Sequence, residues 1–169
     1  YVSPGQTIQD GIDLANPGDS VIIGPGVYHE MLAIDKSSIT IMGSTKNRER
    51  HTVLDGLNVL SDAAVGSGNN IELRDLIVRN YTSNGLMFNH ARNVTYRNLE
   101  CHNTGLYGIY PVECVGVLIE NCLVTGSSDA AIYVGQSKDI IVRDNVAHGN
   151  VTGIEIENSV NALVENNEV

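Results

Sequence analysis

A repeat of 22 or 23 residues runs through the chain from Asp75 to its last residues. Every unit carries an aspartate or asparagine at the same place, with steps of 23, 23, 23 and 22 between Asp75, Asn98, Asn121, Asp144 and Asn166. A fixed period in this range is typical of a solenoid, in which each unit buries its apolar side chains against its neighbours. We therefore expect columns of equivalent side chains to stack along the molecule and to carry its function.

Each unit contains three short segments in which apolar and polar residues alternate, and this alternation predicts three β-strands per coil. The column predicted to stack most regularly in the interior is Leu86, Ile109, Ile132 and Ile154. Asn145 and Asn167 are predicted to form an inward ladder of amides. On the outside, Arg97, Glu120, Arg143 and Glu165 alternate in charge from coil to coil. The sequence thus predicts an all-β fold, a right-handed parallel β-helix of stacked coils.

The N-terminal part differs from the repeats and predicts a cap. Thr7 to Asp10 resembles a capping box that opens a short helix, with Ile8, Ile12 and Ala15 on its apolar face. A helix there would cover the first strands of the solenoid, whose edges would otherwise be open. We expect a single domain over 1–169.

Within this domain, residues 1–60 are predicted to hold the cap and the first coils, and residues 71–169 the regular repeats. The polar stretches 44–52 and 61–70 are predicted to be long loops.

No comparable cap is predicted at the other end, where the sequence stops at Asn166 to Val169 within a coil. We expect either that the chain is a fragment of a longer protein or that a partner covers this end. An outward apolar column, Leu118, Ile141 and Leu163, is likewise expected to be covered by a missing C-terminal segment, a loop or a partner subunit.

The formal net charge of −10 argues against a nucleic-acid partner, because phosphate binding needs a surplus of Lys and Arg. It also disfavours a polyanionic substrate unless a cation such as Ca²⁺ bridges the two. No apolar run is long enough to span a bilayer. Cys101, Cys114 and Cys122 lack metal-ligand spacing, so we expect buried thiols and no metal site.

The stretches GQTIQDGIDLANPGDSVIIGPGVYHE, IDKSSITIMG and TVLDG resemble the opening of bacterial parallel β-helix repeat proteins. The stretch SSDAAIYVGQSKDIIVRDNVAHGNVTGIEIENS resembles the repeat region of the same secreted group. The resemblance places the chain in the pectin-lyase-like superfamily and implies an extracellular or periplasmic location. Known members include pectate lyases, polygalacturonases, alginate epimerases and a copper-site maturation protein, so the fold by itself does not identify an activity.

The polygalacturonase type of hydrolysis is not expected. Its paired acids and its histidine would fall just before the inward strand of each coil. Only Asp129 is an acid there, since Ala130 replaces the second acid and Thr152 replaces the histidine. The run DPHD that is typical of alginate epimerases is also absent.

The best candidate site is the outward column Met87, Tyr110, Tyr133 and Glu155, flanked by Tyr107, Asp129, His90 and Glu113. Aromatic faces beside carboxylates can stack on sugar rings and bind their hydroxyl groups. We expect the tyrosines and Glu113 to bind the sugar, and Asp129 and Glu155 to bind hydroxyl groups or Ca²⁺. In a lyase or epimerase reaction His90 would be the proton acceptor, with Asp129 and Glu155 also at the catalytic centre. Alternatively, Tyr110 and Tyr133 form an aromatic pair that only supports the sheet.

We therefore expect a secreted protein that binds or processes an extracellular polysaccharide. The main alternative is a non-enzymatic interaction module, able to associate with further copies through its open end. A periplasmic accessory to copper insertion is the third hypothesis and ranks last, because the cysteines are expected to be buried and clusters of Met are absent.

Overall fold

The computed structural model describes residues 1–46 and 49–169. Helix α1, Ile8–Leu14, begins at the N-cap Thr7, whose side chain accepts a hydrogen bond from the backbone N–H of Asp10. The carboxylate of Glu30 accepts two further helix-terminal bonds, from Ile8 N at 2.8 Å and Gln9 N at 3.1 Å. The predicted apolar face, Ile8, Ile12 and Ala15, is buried. The helix thus covers the first coil, as its sequence predicts.

The strands form three parallel sheets, and successive strands in the chain pass from the first sheet to the second and then the third. The first sheet contains β1 Ser20–Ile23, β4 Thr40–Gly43, β9 Ile71–Arg74, β12 Arg92–Arg97, β15 Val115–Glu120, β18 Lys138–Arg143 and β21 Val160–Glu165. The second contains β2 Gly26–Tyr28, β7 Thr52–Asp55, β10 Ile77–Arg79, β13 Glu100–His102, β16 Leu123–Thr125 and β19 Val146–His148. The third contains β3 Leu32–Ile34, β8 Ala64–Gly66, β11 Leu86–Asn89, β14 Ile109–Val112, β17 Ala130–Gly135 and β20 Thr152–Glu157. This arrangement confirms the all-β solenoid with three strands per coil.

The predicted stacking of the interior is also confirmed. Ile109 pairs with Leu86 on one side and with Ile132 on the other, and Ile132 pairs in turn with Ile154. Leu86, Ile109 and Ile132 are each at most 1% exposed. A continuous apolar core therefore runs along the axis and fixes which residues face outward.

The asparagine or aspartate that marks the repeat lies in the tight turn between the first and second sheets. All five residues at this position have a positive φ, between 54° and 60°. Asparagine and aspartate tolerate the left-handed conformation better than other non-glycine residues. The periodicity of the sequence therefore reflects a backbone requirement that recurs once per coil.

The inward amide ladder is present as well. The side-chain amide of Asn145 donates to Asn167 Oδ1 at 2.9 Å, and its Oδ1 accepts from the backbone N–H of Cys122 at 2.9 Å. Asn145 is 1% exposed, so these bonds satisfy polar groups that have no access to water.

One prediction about the loops is wrong. Residues 61–70 contain β8, which pairs with β3 and β11 in the third sheet. Its apolar pattern is only three residues long and lies among small polar residues, so tertiary pairing decides its conformation. In the other predicted loop, 44–52, strands β5 (Thr45–Lys46) and β6 (Glu49–Arg50) form an antiparallel pair and β7 begins at Thr52; 47 and 48 lie outside the described residues.

Within the described residues, no helix has the length and apolar character needed to cross a membrane.

Candidate functional site

Three tyrosines form one aromatic cluster on the outer surface of the third sheet. Tyr107 lies in the turn before β14, Tyr110 on β14 and Tyr133 on β17. The ring of Tyr107 is stacked on that of Tyr133, with centroids 4.7 Å apart and planes 25° apart. Tyr110 meets both, at 4.7 Å from Tyr107 and, edge-on, at 5.3 Å from Tyr133. The structure thus brings together the three tyrosines that the sequence places in the candidate site, and it stacks Tyr107, which is predicted to flank the column, directly on Tyr133.

Tyr133 is the most buried member of this cluster. It is only 8% exposed, and its ring lies over Gly135, where a Cβ would come within 2.7 Å of the Tyr133 Cε1 atom. Glycine at 135 therefore lets the ring lie along the strand and lets its hydroxyl donate a hydrogen bond to Glu157. Tyr107 and Tyr110 remain partly exposed, so they offer the faces on which a ligand could stack.

Carboxylates surround the cluster. Burial raises the pKa of the Tyr107 phenol, and the nearby charges of Asp129, Glu155 and Glu157 raise this pKa further. The pKa of Tyr133 is raised to about 12, chiefly because its hydroxyl donates to Glu157 and also because it is buried. Both phenols therefore stay protonated at neutral pH, which makes them hydrogen-bond donors and poor bases.

Glu157 is the site residue that the sequence analysis missed. It lies two residues after Glu155 on β20, and the alternation of a strand sends both side chains to the same outer face. That spacing was a usable signal, but the sequence does not show that Tyr133 reaches across the coil to Glu157.

His90 and Glu113 lie together at the other edge of the third sheet. Each directly follows its strand, β11 or β14, whereas Asp129 precedes β17. Their side chains are in contact between adjacent turns, and both residues have positive φ values, of 53° and 54°. The side chain of His90 is 72% exposed. These two residues form a solvated pair at the turn between the third and first sheets.

The predicted catalytic residues are therefore not all brought together. Asp129 precedes β17, whereas His90 follows β11, two coils away. Coils stack about 4.8 Å apart and a four-residue strand extends roughly 13 Å, so His90 is well over 10 Å from Asp129. Glu155 lies three coils from His90, about 14 Å along the axis. His90 is therefore not brought together with these two carboxylates, and the catalytic roles predicted for the three residues stay predictions.

No group of three or more His, Cys, Asp and Glu side chains in the described part of the chain is arranged to hold a metal ion. The three cysteines are free and buried, as predicted, and burial raises the pKa of each thiol.

The apolar column on the first sheet is aligned as the sequence predicts, since Leu118 pairs with Ile141 and Ile141 with Leu163. Leu163 is 48% exposed, whereas the other two are half-buried.

Comparison with known proteins identifies the family. The family model described as the right handed beta helix region matches residues 61–169. The chain belongs to this family. The family assignment also gives the hand of the solenoid, and with it the predicted right-handed β-helix is confirmed. No curated protein matches the sequence at a significant level.

Solved β-helix structures resemble the whole chain. An alginate lyase from Paenibacillus sp. is 18% identical, with a TM-score of 0.75 over 99% of this chain and 74% of that one. The A-module of mannuronan C-5 epimerase AlgE6 from Azotobacter vinelandii is 17% identical, with a TM-score of 0.70 over 95% of this chain and 51% of that one. The AlgE4 A-module from the same organism is 16% identical, with a TM-score of 0.67 over 95% of this chain and 65% of that one. The chain spans about half of the AlgE6 module and just under two thirds of the AlgE4 module, and identities this low show the shared fold alone.

Proposed function

We propose that this chain is part of a secreted protein that binds an extracellular polysaccharide on the outer surface of the third sheet. The observation that carries the proposal is the tyrosine cluster, in which a nearly buried Tyr133 supports the partly exposed rings of Tyr107 and Tyr110. Aromatic rings held in place at a surface stack on sugar rings at low entropic cost, because little side-chain freedom remains to be lost.

The surrounding groups fit the same ligand. Asp129 and Glu155 are acceptors for sugar hydroxyl groups, and the protonated phenols are donors. Stacked coils present these groups along a flat surface that can follow an extended polymer. The names of the structural neighbours, an alginate lyase and mannuronan epimerases, add support, because both describe proteins that act on a polysaccharide.

Binding is better supported than turnover. Lyase and epimerase chemistry needs a base close to the proton that it removes and a positive charge for the anion that develops. His90 is too far from the other candidates, and the pKa of Tyr133 keeps its phenol protonated. For a lyase or epimerase reaction at this surface, Asp129 and Glu155 are candidate bases, and a Ca²⁺ ion would supply the positive charge.

The test is binding to immobilised polysaccharides by wild type and by Tyr107→Ala. We expect wild type to be retarded in at least one polysaccharide gel, and Tyr107→Ala to lose about tenfold in affinity, since a stacked aromatic ring contributes on the order of 1 kcal/mol or more. Tyr1→Ala is the matched control, because Tyr1 is 74% exposed at the other end of the molecule. A wild type that binds no polysaccharide, or a Tyr107→Ala variant that binds as wild type does, would refute the proposed site.

A further inference from the structure

The carboxylates beside the tyrosine cluster have no cationic partner in the described part of the chain. Five arginines elsewhere form ion pairs with acidic side chains: Arg50 with Glu100, Arg74 with Asp75, Arg79 with Asp55, and Arg97 and Arg143 with Glu120. In contrast, no ion pair within residues 1–46 and 49–169 involves Asp129, Glu155 or Glu157. The negative charge of this surface is therefore left uncompensated.

The sequence explains the imbalance. Residues 98–137 and 144–169 contain neither Lys nor Arg. Lys138 and Arg143, which lie between these stretches, belong to β18 of the first sheet. The last three strands of the third sheet, β14, β17 and β20, thus lie in stretches with tyrosines and acids but no fixed positive charge, and a ligand bound here meets a negative potential.

From this geometry we infer that the ligand is a polysaccharide with free amino groups, a polymer of amino sugars, and not a polyuronate. The inference deepens the proposed function and rests on it. Asp129 and Glu155 lie on adjacent coils, about 4.8 Å apart along the axis, so they can pair with ammonium groups while Tyr107 and Tyr110 stack on the sugar rings. Exposed aromatic faces also attract cations directly.

A basic peptide would satisfy the charges but fits the aromatic surface less well. A lysine ammonium lies at the end of a flexible chain and loses rotamer freedom on binding, whereas an amine on a pyranose ring is already fixed. Conversely, a uronate polymer such as alginate would place its carboxylates against those of the protein and would need a bridging cation.

Isothermal titration with matched hexasaccharides tests the inference. At about pH 6, where sugar amines carry charge, we expect the glucosamine hexasaccharide to bind about tenfold more tightly than its N-acetylated counterpart. This preference should weaken as salt is raised, because screening acts on exposed charges.

The matched variants separate charge from stacking. Asp129→Asn/Glu155→Gln keeps the shapes of both side chains but removes their charges, and it should reduce the preference for the glucosamine hexasaccharide over its N-acetylated counterpart to within about twofold. Asp144→Asn/Glu165→Gln removes the same charge from exposed positions next to the first sheet and should leave the preference intact. Circular dichroism of each variant verifies folding.

Other outcomes overturn the inference in distinguishable ways. Equal or tighter binding of the N-acetylated or a uronate hexasaccharide, still dependent on Tyr107, would refute the amino-sugar inference and leave the proposed function standing. A lysine hexapeptide bound as tightly as the glucosamine hexasaccharide would show that charge alone is recognised and would also refute it. Failure of all saccharides to bind would remove the proposed function and the inference together.

Discussion

The outer surfaces of the first and third sheets cover the same interior but differ in how their acidic side chains are paired. On the first sheet Glu120 is only 4% exposed, and its carboxylate is held by Arg97 and by two bonds of 2.8 and 2.7 Å from Arg143. On the third sheet Asp129 and Glu155 face the tyrosine cluster without a cationic partner among the described residues.

The difference separates structure from recognition. Charges that are paired between coils hold the coils in register and leave little for a ligand to bind. Unpaired carboxylates beside exposed aromatic rings contribute nothing comparable to the stability of the coils, but they are available to a ligand. Within one solenoid, the arrangement of charge thus marks which sheet is structural and which is a candidate binding surface.

The largest effect is expected for the interior that both surfaces share. Ile132 is fully buried between Ile109 and Ile154, so Ile132→Ala removes apolar contact and leaves a cavity. We expect a loss of about 2–5 kcal/mol in the free energy of unfolding, measured by urea denaturation. Leu163→Ala, at an outward and half-exposed position, is the control and should change stability by less than about 1 kcal/mol. Similar losses in both variants would mean that the stacked interior does not dominate stability.

Two matched substitutions test whether the paired carboxylate of the first sheet stabilises the fold more than an unpaired carboxylate of the third. Glu120→Gln leaves Arg97 and Arg143 without their shared carboxylate, and we expect a loss of about 1–3 kcal/mol, below the value for fully buried pairs because the arginines are 40% and 41% exposed. Glu155→Gln removes an unpaired charge and should change stability by no more than about 0.5 kcal/mol. If thermal and urea unfolding of the two variants shifted equally, the distinction between the two surfaces would fail.

The smallest effect concerns Tyr133 and appears only at high pH. The ordinary pKa of tyrosine is about 10, and the fold raises that of Tyr133 to about 12. The stability that the protonated Tyr133 contributes to the folded chain is therefore fully present below about pH 10. It is lost as the pH rises from about 10 to about 12, because over this interval the unfolded chain gives up the proton that the folded chain still holds. Tyr133→Phe lacks this contribution and should lose less stability than wild type over that interval.

Urea midpoints at several pH values measure the effect of Tyr133→Phe, and Tyr1→Phe serves as its control. Parallel curves for wild type and Tyr133→Phe would contradict the hydrogen bond to Glu157.

The fold followed from the sequence because the repeat has a local physical cause. The left-handed turn at Asp75 and its equivalents recurs once per coil, and strand alternation assigns inward and outward columns from that reference point. The pairing of Ile132 and the ladder from Asn145 to Asn167 could be predicted on this basis. Strand β8 could not, because three residues give too short a pattern and its pairing with β3 and β11 decides the outcome.

Only part of the candidate site could be predicted from the sequence. Tyr110, Tyr133 and Glu155 belong to one column, and the sequence places them together. A column of equivalent residues does not give distances along a strand. The sequence therefore groups His90 with carboxylates that lie far from it. The stack of Tyr107 on Tyr133 and the hydrogen bond to Glu157 depend on how side chains lie across coils.

The order of residues by itself determined the solenoid, its register and the excess of negative charge, because each of these depends on period and composition. Only the tertiary structure decided that Tyr133 supports the ring of Tyr107, that His90 pairs with Glu113, and that Glu120 is neutralised while Glu155 is not. Those outcomes depend on contacts between side chains on different coils and strand ends, and no local pattern in the chain specifies them.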